Sequence, residues 1–142
     1  MNPPLEIALK RTAYEEFVYT LPTRYSALQS STLVVKMISS QLAEVIGTLF
    51  FAGEVRLEVT EAINFAEQRI TAYGYEVWRG AEKLYWYDSQ PHPYDATLAS
   101  THPHHKHLPP DIKHHRVPAP GLSFTQPNLP FLIEEILVDV VT

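Results

Sequence analysis

Four histidines and a lysine lie within six consecutive positions of one proline-rich segment, THPHHKHLPP (residues 101–110). When the 2′-OH of RNA attacks the neighbouring phosphate, a base must take the proton of the hydroxyl and an acid must protonate the leaving 5′-oxygen. A cation beside the phosphate stabilises the charge that develops there. Two imidazoles and a lysine supply these groups without a metal ion. We therefore predict that His104 or His105 pairs with His107 as acid and base, and that Lys106 binds the phosphate.

Other residues could join this site from either side of the segment. Asp88 and His92 come at the end of the last predicted strand, and either could fix the tautomer of a histidine; an aspartate there could equally hydrogen-bond a turn. A second basic group is expected to contact nucleic acid, and it consists of Lys113, His114, His115 and Arg116. Tyrosines of the predicted strands could stack bases, although aromatic residues of a sheet more often pack in its core. These tyrosines are Tyr73, Tyr75, Tyr85 and Tyr87.

A metal centre is the main alternative for the same histidines. Their spacings, His-x-His and His-x₂-His, occur in zinc and other divalent sites. The candidate ligands, which Asp88 could join, are His102, His104, His105 and His107. Adjacent His104 and His105 would point in different directions in an extended chain, so a site that uses both needs a bend. A bound divalent ion would activate water for hydrolysis and would not need the 2′-OH. We favour the metal-free chemistry, which needs no cofactor. A third interpretation is that the histidine-rich segment is only a solvated linker.

Composition and charge limit the classes of protein that fit. The chain of 142 residues suits a single domain, residues 1–142, with a substantial core. The absence of cysteine excludes disulfides, thiolate metal sites and cysteine nucleophiles. A net charge of −5 argues against a protein coated in nucleic acid. Residues 101–116, however, carry three basic side chains against one acidic one and hold six of the seven histidines, which indicates a local site for an anion.

The sequence also predicts where the protein resides. No apolar run approaches the roughly 18 residues that a membrane span needs. The first residues, MNPPLEIALKRT, lack the regions of a secretory signal. We therefore expect a cytoplasmic protein that does not contact membranes.

The positions of proline and the apolar periodicity predict an α+β fold. All twelve prolines lie outside residues 23–90, and the period-two pattern there predicts an antiparallel meander of about five strands over residues 32–88. A short helix is expected over residues 12–21, started by a capping box of Thr12 and Glu15 and ended by Pro22. Residues 89–127 are expected to be a functional loop rich in histidine and proline. A second helix, residues 129–140 with Asn128 as N-cap, should cover the sheet.

Several motifs resemble the TumE family of toxins from bacterial toxin–antitoxin systems. They are YGYEVW, YWYDSQPHP, PHHKHLPPDIKHHRVPAPG and NLPFLIEEIL, and the resemblance as a whole runs from about residue 32 to residue 140. Family members tend to read Tyr-Asp-Asn-Ala-Pro-His-His after the last strand, whereas here Asp88 is followed by Ser89, Gln90, Pro91 and a single His92. The resemblance implies a toxin neutralised by a cognate antitoxin.

The residues themselves favour one activity for such a toxin and leave others open. We expect the toxin to be an endoribonuclease that cleaves RNA by histidine acid–base chemistry. A metal-dependent hydrolase and a non-enzymatic toxin that binds its target are the alternatives. The sequence allows either a monomer or a homo-oligomer.

Overall fold

The computed structural model describes residues 7–90, 94–111 and 115–141. Within these ranges the chain forms three α-helices, a 3₁₀ helix at Ala96–Leu98 and one antiparallel sheet of eight strands. The α-helices are α1 (Arg11–Tyr19), α2 (Leu21–Arg24) and α3 (Leu129–Asp139). The strands are β1 (Ser30–Ser31), β2 (Val34–Met37), β3 (Leu42–Phe50), β4 (Val55–Asn64), β5 (Arg69–Arg79), β6 (Glu82–Asp88), β7 (His105–His107) and β8 (Arg116–Pro118). No helix in these ranges combines the length and apolarity needed to cross a membrane.

The sheet is a meander from β3 to β8, and β1 and β2 both pair with β3. This confirms the α+β class and the antiparallel pairing, but the prediction of about five strands was wrong. Five strands do lie within residues 32–88, and the other three are β1, β7 and β8. The last two fall in residues 89–127, where we expected a loop. Prolines keep them to three residues each, and Pro118 is tolerated because β8 is the edge strand in the described sheet.

The N-terminal helix buries the predicted apolar stripe but begins and ends differently. Tyr14, Phe17 and Val18 are buried. The helix begins at Arg11, with Lys10 as N-cap and no side-chain cap, so the capping box at Thr12 was wrong. Pro22 lies in the first turn of α2, where its missing N–H costs no hydrogen bond. It therefore starts a helical turn instead of ending one.

The C-terminal helix α3 covers one face of the sheet, as predicted. Its buried residues are Leu129, Leu132, Ile133 and Ile136, and Leu137 is half-buried against the same core. Asn128 precedes the helix but does not cap it with its side chain. Its Nδ2 instead donates to the Tyr75 hydroxyl at 3.1 Å and to the Ser123 carbonyl at 3.0 Å. Asn128 thus joins the start of α3 to the centre of the sheet.

A buried carboxylate joins α1 to the sheet at the same place. Glu61 of β4 is fully buried on the face that carries Val55, Leu57 and Val59. Its oxygens accept hydrogen bonds of 2.5 Å from the hydroxyls of Tyr14 on α1 and Tyr75 on β5. Burial raises the pKa of Glu61, and the two hydrogen bonds oppose that rise without cancelling it. Glu61 therefore holds a proton to higher pH in the folded chain than in the unfolded one.

This difference predicts a pH dependence of stability that one substitution should remove. As pH rises above about 4.5, the ordinary value for this group, the unfolded chain releases the proton first. The free energy of unfolding should fall until the pH passes the pKa in the folded state, by about 1.4 kcal/mol per unit of raised pKa. Glu61→Gln cannot titrate and should lack this fall. Urea unfolding of both proteins between pH 4 and pH 8 measures the difference, and parallel profiles would contradict the prediction.

Candidate functional site

The pairing of β6 with β7 sets the direction of every side chain in the histidine-rich segment. Trp86 lies opposite His107, and Asp88 lies opposite His105. Because residues directly opposite each other share a face and successive residues alternate, these four side chains lie on one face of the sheet. Lys106, between the two histidines, points to the other face. The structure therefore separates the predicted acid–base pair from the predicted phosphate-binding lysine.

Asp88, His105 and His107 form a compact group, which we call the His–Asp cluster. The Nε2 atom of His105 lies 2.7 Å from Oδ1 of Asp88. The Nε2 atom of His107 lies 3.2 Å from Oδ2 of Asp88 and 3.0 Å from Nε2 of His105. Both histidines are buried, whereas the Asp88 side chain is 24% exposed. The sequence allowed either His104 or His105 as the partner of His107, and the structure brings His105 to it.

Neighbouring groups hold each member of the His–Asp cluster in place. Nδ1 of His105 donates to the Pro103 carbonyl at 3.0 Å. Asp88 accepts from the Trp86 indole at 3.2 Å and from the Gln90 amide at 3.1 Å. The Trp86 ring also packs on His107, with 4.4 Å between ring centroids. The predicted role of Asp88 as a partner of the histidines fits these contacts, and its hydrogen bond with Gln90 places it at a turn as well.

The charges within the His–Asp cluster shift two pKa values in opposite directions. Burial alone would lower the pKa of His105, but hydrogen bonds to Asp88 and to the Pro103 carbonyl, with the charge of Asp88, outweigh burial and raise it. Burial alone would raise the pKa of Asp88. The hydrogen bond and charge of a protonated His105, together with the hydrogen bond from the backbone N–H of Gln90, outweigh burial and lower the pKa of Asp88. Each residue therefore stabilises the charged form of the other.

Arg116 brings a cation to the same face of the sheet. It lies on β8 directly opposite His107 and so shares the face of the His–Asp cluster. Its positive charge acts on His105, whose pKa it lowers. Arg116 therefore takes the position beside the imidazoles that the sequence analysis gave to Lys106.

Lys106 instead stabilises the contact between the sheet and α3. Its Nζ lies 3.5 Å from Oε2 of Glu135 and 4.1 Å from the centroid of the Tyr85 ring. The Tyr87 hydroxyl donates to the same oxygen of Glu135 at 2.7 Å. Strand alternation is the physical reason for this placement, which puts Lys106 on the face of the sheet opposite to the imidazoles.

The remaining predicted residues lie apart from the His–Asp cluster or outside the described residues. Nδ1 of His104 lies 2.6 Å from the Tyr73 hydroxyl, and the two rings stack. Burial lowers the pKa of His104, as do the nearby charges of His102 and His105. His102 and His115 are exposed, and His115 donates from Nδ1 to the Pro109 carbonyl at 3.1 Å. His92, Lys113 and His114 lie outside the described residues.

The four tyrosines that were candidates for base stacking are buried in the core: Tyr73, Tyr75, Tyr85 and Tyr87. A base could stack on them only if the core opened. Sequence reasoning also missed Trp86 and Gly74. Trp86 precedes Asp88 by two residues, so the two-residue period of a strand could have identified it.

A groove of about 470 Å³ crosses the sheet beside the His–Asp cluster. Asp88 and Trp86 line one end of it, and Glu58, Thr60, Gly74 and Glu76 line its floor. The two glutamates are paired with cations, at 3.8 Å between Arg56 and Glu58 and 3.0 Å between Lys83 and Glu76. The groove therefore leads to Asp88, the most exposed member of the cluster.

Comparison with known proteins supplies the family. Residues 18–140 match the family model described as Toxin TumE, which is most of the chain. The chain belongs to the TumE toxin family. This confirms the resemblance in the sequence and makes the protein a toxin of a toxin–antitoxin system, with a cognate antitoxin as its partner. Comparisons with curated proteins and with solved structures found no significant match.

The position of Lys106 in the toxin predicts a loss of stability without a loss of activity. Lys106→Met keeps an aliphatic side chain over Tyr85 but removes the cation beside the half-buried Glu135. The free energy of unfolding should fall by about 1–3 kcal/mol, the cost of losing a partner of a poorly solvated charge. Urea unfolding measures it, with the exposed Lys36→Met as control, for which a change within about 0.5 kcal/mol is expected. A loss of toxicity in a folded Lys106→Met protein would contradict this assignment.

Proposed function

We propose that this toxin is an endoribonuclease whose reacting phosphodiester binds at the His–Asp cluster. The observation that supports it is the convergence of two imidazoles and a carboxylate, with Arg116 on the same face and a groove leading to Asp88. A guanidinium beside two imidazoles is suited to binding and activating a phosphate diester. A segment that was only a solvated linker would not be expected to bring two imidazoles and a carboxylate together.

Each requirement of phosphodiester cleavage has a candidate group at this place. Arg116 would bind the non-bridging oxygens, with two donors of its planar guanidinium. Two chemistries are compatible with the His–Asp cluster. In the first, one imidazole would take the proton of the 2′-OH as its oxygen bonds to phosphorus, and the other, protonated, imidazole would give a proton to the 5′-oxygen as its bond to phosphorus breaks. In the second, the cluster would hold a metal ion that activates water for hydrolysis, and the 2′-OH would not be needed.

The groove is proposed to hold the nucleotide next to the reacting phosphate. Its floor offers the hydroxyl of Thr60, which can donate or accept a hydrogen bond, and the carboxylates of Glu58 and Glu76, which can accept hydrogen bonds from ribose hydroxyls and base edges. The paired Arg56 and Lys83 offset the charge of the two glutamates. An RNA strand would therefore not meet an uncompensated acidic surface there.

Substitutions in the His–Asp cluster test the proposal directly. His105→Ala, His107→Ala and Asp88→Asn should each lower RNA cleavage by about 10²–10⁴-fold, the usual cost of losing a general acid or base. His102→Ala is the matched control, because it removes an exposed histidine of the same segment and should leave cleavage unchanged. The assay follows labelled RNA with purified toxin free of antitoxin, and circular dichroism checks folding. Unchanged cleavage in the three variants would refute the site, and growth arrest without cleavage would favour a toxin that acts by binding.

Gly74 offers a test of the groove that leaves every side chain of the His–Asp cluster in place. It lies directly opposite Asp88, and no atom of the described residues comes within 4 Å of a Cβ built on it, apart from its chain neighbours. Gly74→Val should therefore keep the melting temperature but fill the groove and reduce cleavage at least about tenfold, through misplacement of the substrate. Ala72→Val, on the same face and farther from Asp88, is the control. Equal activity of the two variants would mean that RNA does not use this groove.

A further inference from the structure

The three side chains of the His–Asp cluster form a closed triangle of contacts. Its sides are 2.7 Å between Oδ1 of Asp88 and Nε2 of His105, 3.0 Å between the two Nε2 atoms, and 3.2 Å between Nε2 of His107 and Oδ2 of Asp88. Two corners are imidazole Nε2 atoms, and the third is the Asp88 carboxylate, which presents a different oxygen to each histidine. All three corners therefore belong to groups that bind metal ions.

Protons alone cannot make hydrogen bonds of all three sides. Each Nε2 atom carries either one proton or one lone pair in the plane of its ring, and an ionised carboxylate only accepts. If both nitrogens are protonated, both bond to Asp88, but their protons oppose each other across 3.0 Å. If only His105 is protonated, the lone pair of His107 faces the carboxylate across 3.2 Å. Every arrangement with Asp88 ionised leaves one repulsive side.

A single divalent cation satisfies all three groups at once. Imidazole nitrogen and carboxylate oxygen bind such ions at about 2.0–2.2 Å. Two ligands at right angles on such an ion are then about 3 Å apart, which is close to the 3.0 Å between the two Nε2 atoms and to the distance from each of them to its nearer Asp88 oxygen. The two-histidine, one-carboxylate set occupies one face of the ion and leaves its other positions open.

The contacts around the triangle match those of metal ligands. A ligating histidine commonly donates its second ring N–H to a carbonyl, and His105 does so to Pro103. Ligating carboxylates are themselves hydrogen-bonded, and Asp88 accepts from Trp86 and Gln90. The groove beside Asp88 gives an ion and its water ligands a path from solvent.

We infer that Asp88, His105 and His107 bind one divalent transition-metal ion, with positions left open for water and a phosphate oxygen. Two imidazoles favour Zn²⁺, Mn²⁺ or Fe²⁺ over Mg²⁺ and Ca²⁺, which prefer oxygen ligands. His102 and His104 are not ligands, in contrast to the set that the sequence allowed. The inference rests on the proposed function only for the ion's part in RNA cleavage, because binding is measured without RNA.

Calorimetry of the full chain with metal salts alone tests the inference. The protein is purified without antitoxin and without a histidine tag, stripped with EDTA, and titrated with Zn²⁺, Mn²⁺ and Mg²⁺. We expect one Zn²⁺ or Mn²⁺ per chain, with Mg²⁺ at least tenfold weaker. His107→Ala and Asp88→Ala should weaken binding at least tenfold, and His102→Ala should not. Trp86→Phe keeps an aromatic side chain but loses the indole N–H that donates to Asp88, and should weaken binding about tenfold without loss of folding.

The outcomes separate this inference from the proposed function. Absence of saturable binding, or binding unchanged in His107→Ala, would overturn the metal site. If the chain fails to bind metal in this way but still cleaves RNA in EDTA, the endoribonuclease proposal stays intact and the imidazoles act by proton transfer. Stoichiometric binding that depends on His107 and Asp88, in a protein that cleaves no RNA, would support the metal site and refute the endoribonuclease. Cleavage lost in EDTA and restored by Mn²⁺ or Zn²⁺ would support both.

Discussion

The register between β6 and β7 is the constraint on which the candidate site depends. It sets Asp88 opposite His105 and Trp86 opposite His107, so that two imidazoles meet one carboxylate. The same register sends Lys106 to the other face, where it meets Glu135 of α3. A shift of one residue would exchange the two faces and put the lysine beside Asp88. One three-residue strand therefore builds the site on one side and attaches the C-terminal helix on the other.

The helices are attached to the sheet through two carboxyl groups, the buried Glu61 and the half-buried Glu135, as well as through apolar contacts. Glu61 accepts from Tyr14 of α1 and from Tyr75, and Tyr75 in turn accepts from Asn128 at the start of α3. Glu135 accepts from Tyr87 and lies beside Lys106. A buried charge is tolerated only where hydrogen bonds or opposite charges replace water. These contacts fix where α1 and α3 sit more specifically than apolar packing alone can.

The carboxylates of Glu61 and Asp88 show how surroundings decide protonation. Glu61 is fully buried and Asp88 partly buried, and burial raises a carboxyl pKa. At Glu61 the neighbours are neutral hydroxyls, and burial prevails. At Asp88 two imidazoles and a backbone amide favour the charged form, and the pKa falls. Asp88 is thereby available as an anion, which either a protonated imidazole or a metal ion can use.

The sequence by itself determined the class of the fold and a set of candidate residues for the site. The proline-free, period-two stretch predicted antiparallel strands, because proline cannot donate to the ladder, and the 3.6-residue periodicity predicted the buried faces of α1 and α3. The motifs predicted the toxin family, which the family match confirmed. Asp88, His105, His107 and Arg116 were all among the candidate residues.

Only the tertiary structure decided which of these residues meet. Local pattern gave no strand at β7 or β8, because short proline-flanked segments have no periodicity and become strands only by pairing, β7 with β6 and β8 with β7. Without that pairing nothing fixes the directions of His104, His105, Lys106 and His107. With it, His105 and His107 turn toward Asp88, whereas His104 reaches Tyr73. Composition placed four histidines in one segment, and the alternation of side chains along a paired strand selected two of them.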